Sequence, residues 1–318
     1  MADNLSIFNF KNISRFPFVK ILFFFLFLYC CDYILGNALK DALLKSKSFW
    51  GAARSVQTLK KVVPGIIMGN SRAGAYAPEI IAERMGVDFF NATSPAQSIF
   101  YNCILLDYLI KNNLNLKYII YEIDKSDLEL EEYPISKEPS EMLSFLYEDS
   151  IMAREVLCTI NPLNYYRYKS RLMQVNGVVT SVLFDRMFSR HVHKHIRSDG
   201  FEVHDGVVLD GNCEGQEVAY YHVDNYKIKL LKKFIRMAKE NNIKLVFLTS
   251  PVYLKCTPDY SAIFDAFKSI AKECDVAYYS FFNDFQEKEL FYDINHLNMK
   301  GAYLYTNHII DIIRSDLL

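Results

Sequence analysis

Residues 64–73 read PGIIMGNSRA, a short apolar run that ends in Gly-Asn-Ser. A segment compatible with a helix, Tyr76 to Met85, follows it. This order is typical of a buried parallel strand that ends in a tight turn at the carboxyl edge of a sheet. Gly69 allows the sharp turn, Ser71 offers a hydroxyl, and N–H groups at the start of the next helix would point to the same place. A nucleophile and part of an oxyanion hole could share this turn.

A second stretch, residues 292–298, reads YDINHLN and precedes the last predicted helix. Asp293 and His296 are three positions apart, so one helical turn would place both on one side. The histidine could then take the proton of Ser71 while the aspartate holds the other ring nitrogen. Each stretch alone more often has a structural role, as a turn or a capping histidine. Together they predict a Ser-His-Asp triad.

These residues resemble the SGNH (GDSL-like) hydrolases and their membrane-anchored acyltransferase relatives. Gly69-Asn70-Ser71 match the nucleophile block of that family, and residues 293–296 match its Asp-x-x-His block. The continuation 297–302, LNMKGA, is similar to the entry of the family's final helix. The resemblance covers roughly residues 60–318. It implies catalytic roles for Ser71, His296 and Asp293, and neither a metal nor a cofactor.

In this family a second block supplies a glycine and a third an asparagine to the oxyanion hole. Here the loop 91–98 reads NATSPAQS, in which Asn91 resembles the start of the second block. Pro95 or Ala96 stands where the glycine is expected, and Pro95 has no N–H to donate. The third predicted strand is followed by DKSD without an asparagine, which is also similar to the anchored branch. The resemblance implies oxyanion or substrate contacts for Gly69, Asn70, Asn91 and Ser94.

The composition excludes some classes of function. The formal net charge of −1 and the lack of a basic cluster argue against a nucleic-acid partner. Seven cysteines without paired spacing indicate neither a disulfide framework nor a zinc site. Three alternating histidines, at 191, 193 and 195, stand among cations and lack an acidic partner, so we predict no metal site.

The N-terminal part predicts a membrane anchor. Residues 1–15 form a polar tail, residues 16–39 are apolar and rich in phenylalanine, and residues 40–61 read as a linker helix. Lys20 and Asp32 interrupt the apolar run, so a buried helix of a cytosolic enzyme or a signal cleaved near Gly36 remains an alternative. Lys11 and Arg15 precede the run and favour an N-terminus inside the cell, although four cations follow it: Lys40, Lys45, Lys47 and Arg54. The expected place is the bacterial inner membrane, with a single pass and an extracytoplasmic catalytic domain.

The body, residues 62–318, alternates strand and helix. Five strands are predicted near residues 65–69, 87–92, 117–124, 243–248 and 276–280, and the main helices at 78–85, 97–111, 227–240, 261–273 and 300–314. The pattern predicts a three-layer α/β/α sandwich with a mostly parallel five-stranded sheet. An insertion at about 128–226 would lie above the carboxyl edges of the strands, either as a substrate-binding cap or as a helical pad on the sheet.

The resemblance implies a serine esterase or O-acyltransferase that acts on an ester of a cell-envelope glycan. Its partners would be an acylated or acyl-accepting carbohydrate, the membrane, and a membrane protein that donates acyl groups. The alternative is an inactive protein that binds a glycan or an assembly partner in the same cleft. The departures at Pro95 and after the third strand favour this alternative, whereas Ser71, Asp293 and His296 favour the enzyme.

Overall fold

The computed structural model of the chain describes residues 17–46, 52–93, 95–112, 115–130, 142–176, 196–202, 204–208, 222–253 and 260–318. The five strands are β1 (Gly65–Met68), β2 (Phe89–Asn91), β3 (Tyr118–Glu122), β4 (Lys244–Thr249) and β5 (Ala277–Ser280). The longer helices are α1 (Pro17–Leu44), α2 (Ala52–Leu59), α3 (Pro78–Met85), α4 (Ile99–Asn112), α5 (Ile151–Ile160), α6 (Asn225–Glu240), α7 (Ser261–Glu273) and α8 (Met299–Leu317).

The strands form one sheet in the order β2-β1-β3-β4-β5, and each neighbouring pair is parallel. Strand β1 lies inside the sheet, where Gly65 pairs with Phe89 of β2 and with Tyr118 of β3. The chain changes direction across the sheet between β1 and β3. In open parallel sheets, the crevice beyond the carboxyl ends of strands at such a point is the usual ligand site.

Helices cover both faces of the sheet because alternate residues of each strand point to opposite sides. Ile66 of β1 belongs to one apolar cluster, which α2, α4, α5, α6 and α7 complete. Ile67 belongs to the other cluster, with α3 and α8. Both side chains are fully buried, as expected for a strand between two helical layers. The predicted α/β sandwich with a parallel five-stranded sheet is confirmed.

Helix α1 begins at Pro17 and continues to Leu44, five residues beyond the predicted end at 39. Within the described chain it is the one helix long and apolar enough to cross a membrane. Its side chains from Pro17 to Cys30 are mostly exposed, whereas Gly36 and Leu43 are buried against the rest of the protein. The amino-terminal half of α1 therefore exposes its apolar side chains, and its carboxyl-terminal half packs against the rest of the protein. Of the linker predicted at 40–61, residues 40–44 belong to α1 and Ala52–Leu59 form α2.

The described parts of the insertion lie in two places. Residues 142–176 are largely helical, and buried side chains such as Phe145 and Val156 join the apolar cluster beside α4. Residues 196–208, with residue 203 not described, run instead along the carboxyl edge of the sheet beside β2 and the Ser71 turn. The first part forms a helical pad, and the second borders the candidate site.

Candidate active site

The backbone after β1 turns sharply and presents Ser71 at the carboxyl edge of the sheet. Gly69 has φ +131°, in the region that favours glycine. Asn70 then caps a single-turn 3-10 helix, Ser71–Ala75, because its side-chain oxygen accepts the N–H of Arg72 at 2.9 Å. Helix α3 begins only at Pro78, as predicted. The N–H groups beside Ser71 therefore belong to the 3-10 turn and not to an α-helix.

The loop before α8 holds Asp293 and His296 in a fixed relation. One carboxylate oxygen of Asp293 accepts the backbone N–H groups of Asn295 at 2.8 Å and of His296 at 2.9 Å. Both carboxylate oxygens lie 2.9 Å from Nδ1 of the His296 ring. The loop ends at Asn298, whose side chain caps α8 by accepting the N–H of Gly301 at 3.0 Å. The spacing of three residues thus closes a tight ring of hydrogen bonds.

The structure brings the serine and the histidine together across the fold. Ser71 Oγ lies 2.8 Å from His296 Nε2. Because an ionised carboxylate can only accept, the proton of the neutral imidazole belongs on Nδ1, facing Asp293, and Nε2 is left to accept the Ser71 hydroxyl. The His296 side chain is 23% exposed, so a substrate can approach this pair from solvent.

Ionisation of Asp293 supports that tautomer. Partial burial opposes the charge, but the hydrogen bonds from the His296 ring and from two backbone N–H groups outweigh it and hold the pKa of Asp293 below its ordinary value. Asp293 is therefore a carboxylate at neutral pH. This geometry allows a serine hydroxyl to pass its proton to an imidazole that a carboxylate orients.

A buried ion cluster lies beneath the Ser71 turn, and the sequence analysis did not identify it. Arg72 donates from Nε and Nη2 to one oxygen of Glu122, at 2.9 and 2.5 Å, and its Nη1 lies 3.2 Å from Asp124. Burial raises the pKa of Glu122 above its ordinary value, although Arg72 opposes the rise. Burial would lower the pKa of Arg72, but the two carboxylates raise it. The acidic residues at the end of β3 could have predicted this cluster, because the carboxyl ends of β1 and β3 are neighbours in the sheet.

Asn91, predicted to contact an oxyanion or substrate, has a different position. Its side-chain amide donates to the carbonyl oxygens of Ala73 at 2.7 Å and Tyr76 at 3.1 Å, with Gly74 at 3.3 Å. Its side-chain oxygen accepts from Thr93. Because both amide hydrogens are used, Asn91 supports the serine turn and has no donor left for a ligand. Ser94, also predicted to bind, lies outside the described residues.

Residues 196–208 connect the serine turn to the histidine loop through backbone hydrogen bonds. Near the turn, the carbonyl oxygen of Asp199 accepts the N–H of Asn91 at 2.8 Å. Near the loop, the carbonyl oxygen of His204 accepts the N–H of Met299 at 3.2 Å. The His204 ring stacks on Tyr292 at 4.5 Å and meets His296 edge-on at 5.8 Å, centroid to centroid. This segment therefore forms one wall of the candidate site.

No cluster of three or more histidine, cysteine or acidic residues that could hold a metal ion occurs among the described residues. The histidines at 191, 193 and 195 lie outside them.

Comparison with known proteins yields structural similarity without a sequence match. No protein-family model matches the chain, and no curated protein matches it. Among solved structures, the chain is similar to a proposed acylhydrolase from Bacteroides fragilis NCTC 9343, at 10% sequence identity and a TM-score of 0.39. The match covers 80% of this chain and 88% of that one. A similarity of this size assigns no activity to this protein.

Proposed function

We propose that the protein is a membrane-anchored serine esterase or O-acyltransferase in which Ser71 is the nucleophile. One observation carries this proposal: Ser71 Oγ lies 2.8 Å from His296 Nε2, and the other nitrogen of the same ring lies 2.9 Å from both oxygens of Asp293. His296 acts as the general base and acid, and Asp293 orients it.

The reaction proceeds through an acyl-enzyme. Ser71 Oγ attacks the ester carbonyl carbon while its proton moves to His296 Nε2. The bond to the leaving alcohol breaks, and that alcohol takes the proton from His296. Water or a sugar hydroxyl then gives a proton to His296 and attacks the acyl carbon. The bond from that carbon to Ser71 Oγ breaks, and His296 returns the proton to Ser71 Oγ. Water completes hydrolysis, and a sugar hydroxyl completes acyl transfer.

The developing oxyanion requires donors close to Ser71. Among the described residues, the backbone N–H of Ser71 has no acceptor, and the side-chain Nδ2 of Asn70 has none either. Asn91 cannot contribute, because it already serves the serine turn. We therefore assign the oxyanion to Ser71 N–H and Asn70 Nδ2, which retains the role predicted for Asn70. Gly69 acts by shaping the turn.

For the substrate we propose an ester of a cell-envelope glycan, with a membrane protein as the source of acyl groups. The support is the likeness of residues 69–71 and 293–296 to the anchored acyltransferase relatives, together with the exposed apolar helix α1. With cationic residues before α1, we place the N-terminus inside the bacterial inner membrane and the catalytic domain outside.

The experiment uses full-length protein in detergent micelles and follows hydrolysis of p-nitrophenyl acetate by the wild type and by Ser71→Ala. We expect turnover by the wild type and its loss in the variant, because the hydroxyl forms the acyl-enzyme. Addition of an oligosaccharide acceptor separates the two reactions, since a transferase moves the acetyl group to the sugar. A wild type as inactive as Ser71→Ala would leave the glycan-binding alternative as the better account.

A further inference from the structure

Helix α1 is joined to the helical pad by buried and polar contacts. The carboxylate of Asp32 accepts the N–H groups of Arg171 at 2.8 Å and Leu172 at 3.2 Å, together with the hydroxyl of Ser170. It thereby caps the helical segment 171–176. One turn further along α1, a Cβ added to Gly36 would lie 2.4 Å from Cβ of Arg171. The two elements are thus in direct contact at a fixed height on α1.

The height of this contact can be placed on the membrane normal. A hydrocarbon core of about 30 Å needs about 20 helical residues at 1.5 Å each, which from Pro17 ends near Gly36. Asp32 is four residues earlier than Gly36. Its partners at 170–172 therefore lie about 6 Å from that boundary, on the hydrocarbon side. A second tether fixes the same geometry, because Lys40 Nζ lies 2.6 Å from Asp149 and Leu43 is buried. The contacts at Asp32 and Lys40 lie about 6 Å on either side of that boundary, so the pad next to α1 straddles the border between the hydrocarbon core and the lipid headgroups.

At this level the pad presents apolar side chains to the outside. Within residues 163–173, which we name the interfacial surface, four large side chains are exposed: Leu163, Tyr165, Tyr166 and Met173. Three cations lie between Tyr166 and Met173: Arg167, Lys169 and Arg171. Lys169 Nζ lies 4.5 Å from the centre of the Tyr165 ring, and the Arg171 guanidinium lies 6.0 Å from that of Tyr33 on α1. Tyrosines with neighbouring cations are the composition favoured at a membrane interface.

We propose that the interfacial surface lies in the headgroup region of the membrane that α1 spans and binds anionic lipid through its cations. The occupant follows from chain continuity, because residues 163–173 include the segment that contacts α1 at Asp32 and at the exposed Tyr33. The cations match anionic headgroups, which attract basic segments that lie near the membrane surface. The domain is thereby held at one orientation to the bilayer. This inference rests on the membrane placement of α1 and is independent of the chemistry of Ser71.

The test places one tryptophan at a time in full-length protein. The chain has a single tryptophan, Trp50, so Trp50→Phe provides the background. Three variants are made in it: Tyr166→Trp on the interfacial surface, Phe25→Trp in the middle of α1, and Leu304→Trp on α8, which is 48% exposed on the opposite face of the sheet. Each is reconstituted into vesicles of equal parts phosphatidylcholine and phosphatidylglycerol. Nitroxide groups on the lipid headgroup or near the acyl-chain end serve as membrane quenchers, and iodide serves as the aqueous one.

We expect Tyr166→Trp to be quenched more by the headgroup nitroxide than by the deep one and to lose most of its quenching by iodide on reconstitution. Phe25→Trp should respond mainly to the deep nitroxide, and Leu304→Trp to iodide only. The Lys169→Glu change, added to Tyr166→Trp, should reduce headgroup quenching because it reverses one charge that attracts the lipid.

Three outcomes would overturn the inference. If Phe25→Trp reports the bilayer but Tyr166→Trp remains as open to iodide as Leu304→Trp, the interfacial surface does not touch lipid. If Tyr166→Trp is protected from iodide without any nitroxide quenching, a protein covers the surface instead. A Phe25→Trp variant without membrane quenching would reject both the anchor and the interfacial contact. None of these results depends on esterase activity.

Discussion

Gly69, at the end of β1, packs directly on the backbone of Glu122, at the end of β3. A Cβ added to Gly69 would lie 2.6 Å from the carbonyl oxygen of Glu122 and 2.9 Å from its Cβ. The two strand ends that support the serine turn and the ion cluster are thus in contact where only a hydrogen atom fits. The position of Ser71 depends on this contact.

The Gly69→Ala substitution tests this dependence. We expect a loss of stability from two sources, about 1–3 kcal/mol from the backbone conformation and about 1–3 kcal/mol from overpacking. Gly86→Ala is the matched control, since Gly86 also has a positive φ, +71°, but no atom within 4 Å of an added Cβ. Gly86→Ala should lower the free energy of unfolding by about 1–2 kcal/mol. Urea unfolding measures the free energy of unfolding of both variants. Equal losses in Gly69→Ala and Gly86→Ala would contradict the close contact between Gly69 and Glu122.

The pairing of Arg72 with Glu122 predicts strong energetic coupling. Removing only the cation, in Arg72→Met, leaves a carboxylate buried without its partner and should destabilise the protein by about 3–5 kcal/mol. The double variant Arg72→Met/Glu122→Leu should lose much less stability than the sum of the losses in the two single variants. The exposed pair Lys232–Glu273, at 2.7 Å, is the control and should show little coupling. Additive losses at Arg72 and Glu122 would show that the buried pair is not coupled.

Asp127 predicts a pH dependence of stability. Burial is the main influence and raises the pKa of Asp127 from 3.8 to about 8, although Tyr121 and the backbone N–H of Asp124 donate to it. A raised pKa favours the protonated native state, so this contribution is complete below about pH 4 and is lost as the pH rises towards 8. Relative to Asp127→Asn, the wild type should lose at most about 1.4 kcal/mol per pH unit across this window. If the free energy of unfolding changes with pH in the same way in the wild type and in Asp127→Asn, the raised pKa of Asp127 is refuted.

The Asp293→Asn substitution tests the orienting role of the carboxylate. An amide in this place can favour the wrong tautomer of His296, and we expect kcat/KM for p-nitrophenyl acetate to fall about 10³–10⁴-fold with little change in stability. Because the pKa of Asp293 is held below its ordinary 3.8, its contribution to activity in the wild type is lost only as the pH falls through that lowered value. Asp284→Asn, on an exposed loop, is the control and should keep full activity. Equal activity of both variants would remove Asp293 from the mechanism.

Most of the fold could be predicted because its signals are local. The apolar run before Gly69 is typical of a strand buried on both faces, and the alternation of such runs with amphipathic segments predicts a parallel sheet. The bounds of α3 and α7 agree with the prediction at both ends. Helix α1 runs from Pro17 to Leu44, past the span predicted at 16–39, and Leu43 is buried against the domain.

The site could be predicted only in part, because its supporting contacts are not local. The proposed Ser71, His296 and Asp293 came from spacing and resemblance, and the structure places them within hydrogen-bond distance. The structural use of the Asn91 amide was not visible, since its partners are carbonyl oxygens set by the folded serine turn. The contact of Asp32 with Arg171 joins residues 139 positions apart, and no local sequence pattern predicts it.

The most direct test of the central claim is covalent labelling of the full-length protein by a fluorophosphonate probe. Wild type is compared with Ser71→Ala, with His296→Ala and with Ser315→Ala, which changes an exposed serine of α8. We predict that wild type and Ser315→Ala are labelled, that Ser71→Ala is not, and that His296→Ala reacts far more slowly because its serine has no base. Labelling that persists in Ser71→Ala, or a folded wild type that does not react, would contradict an activated nucleophile at Ser71.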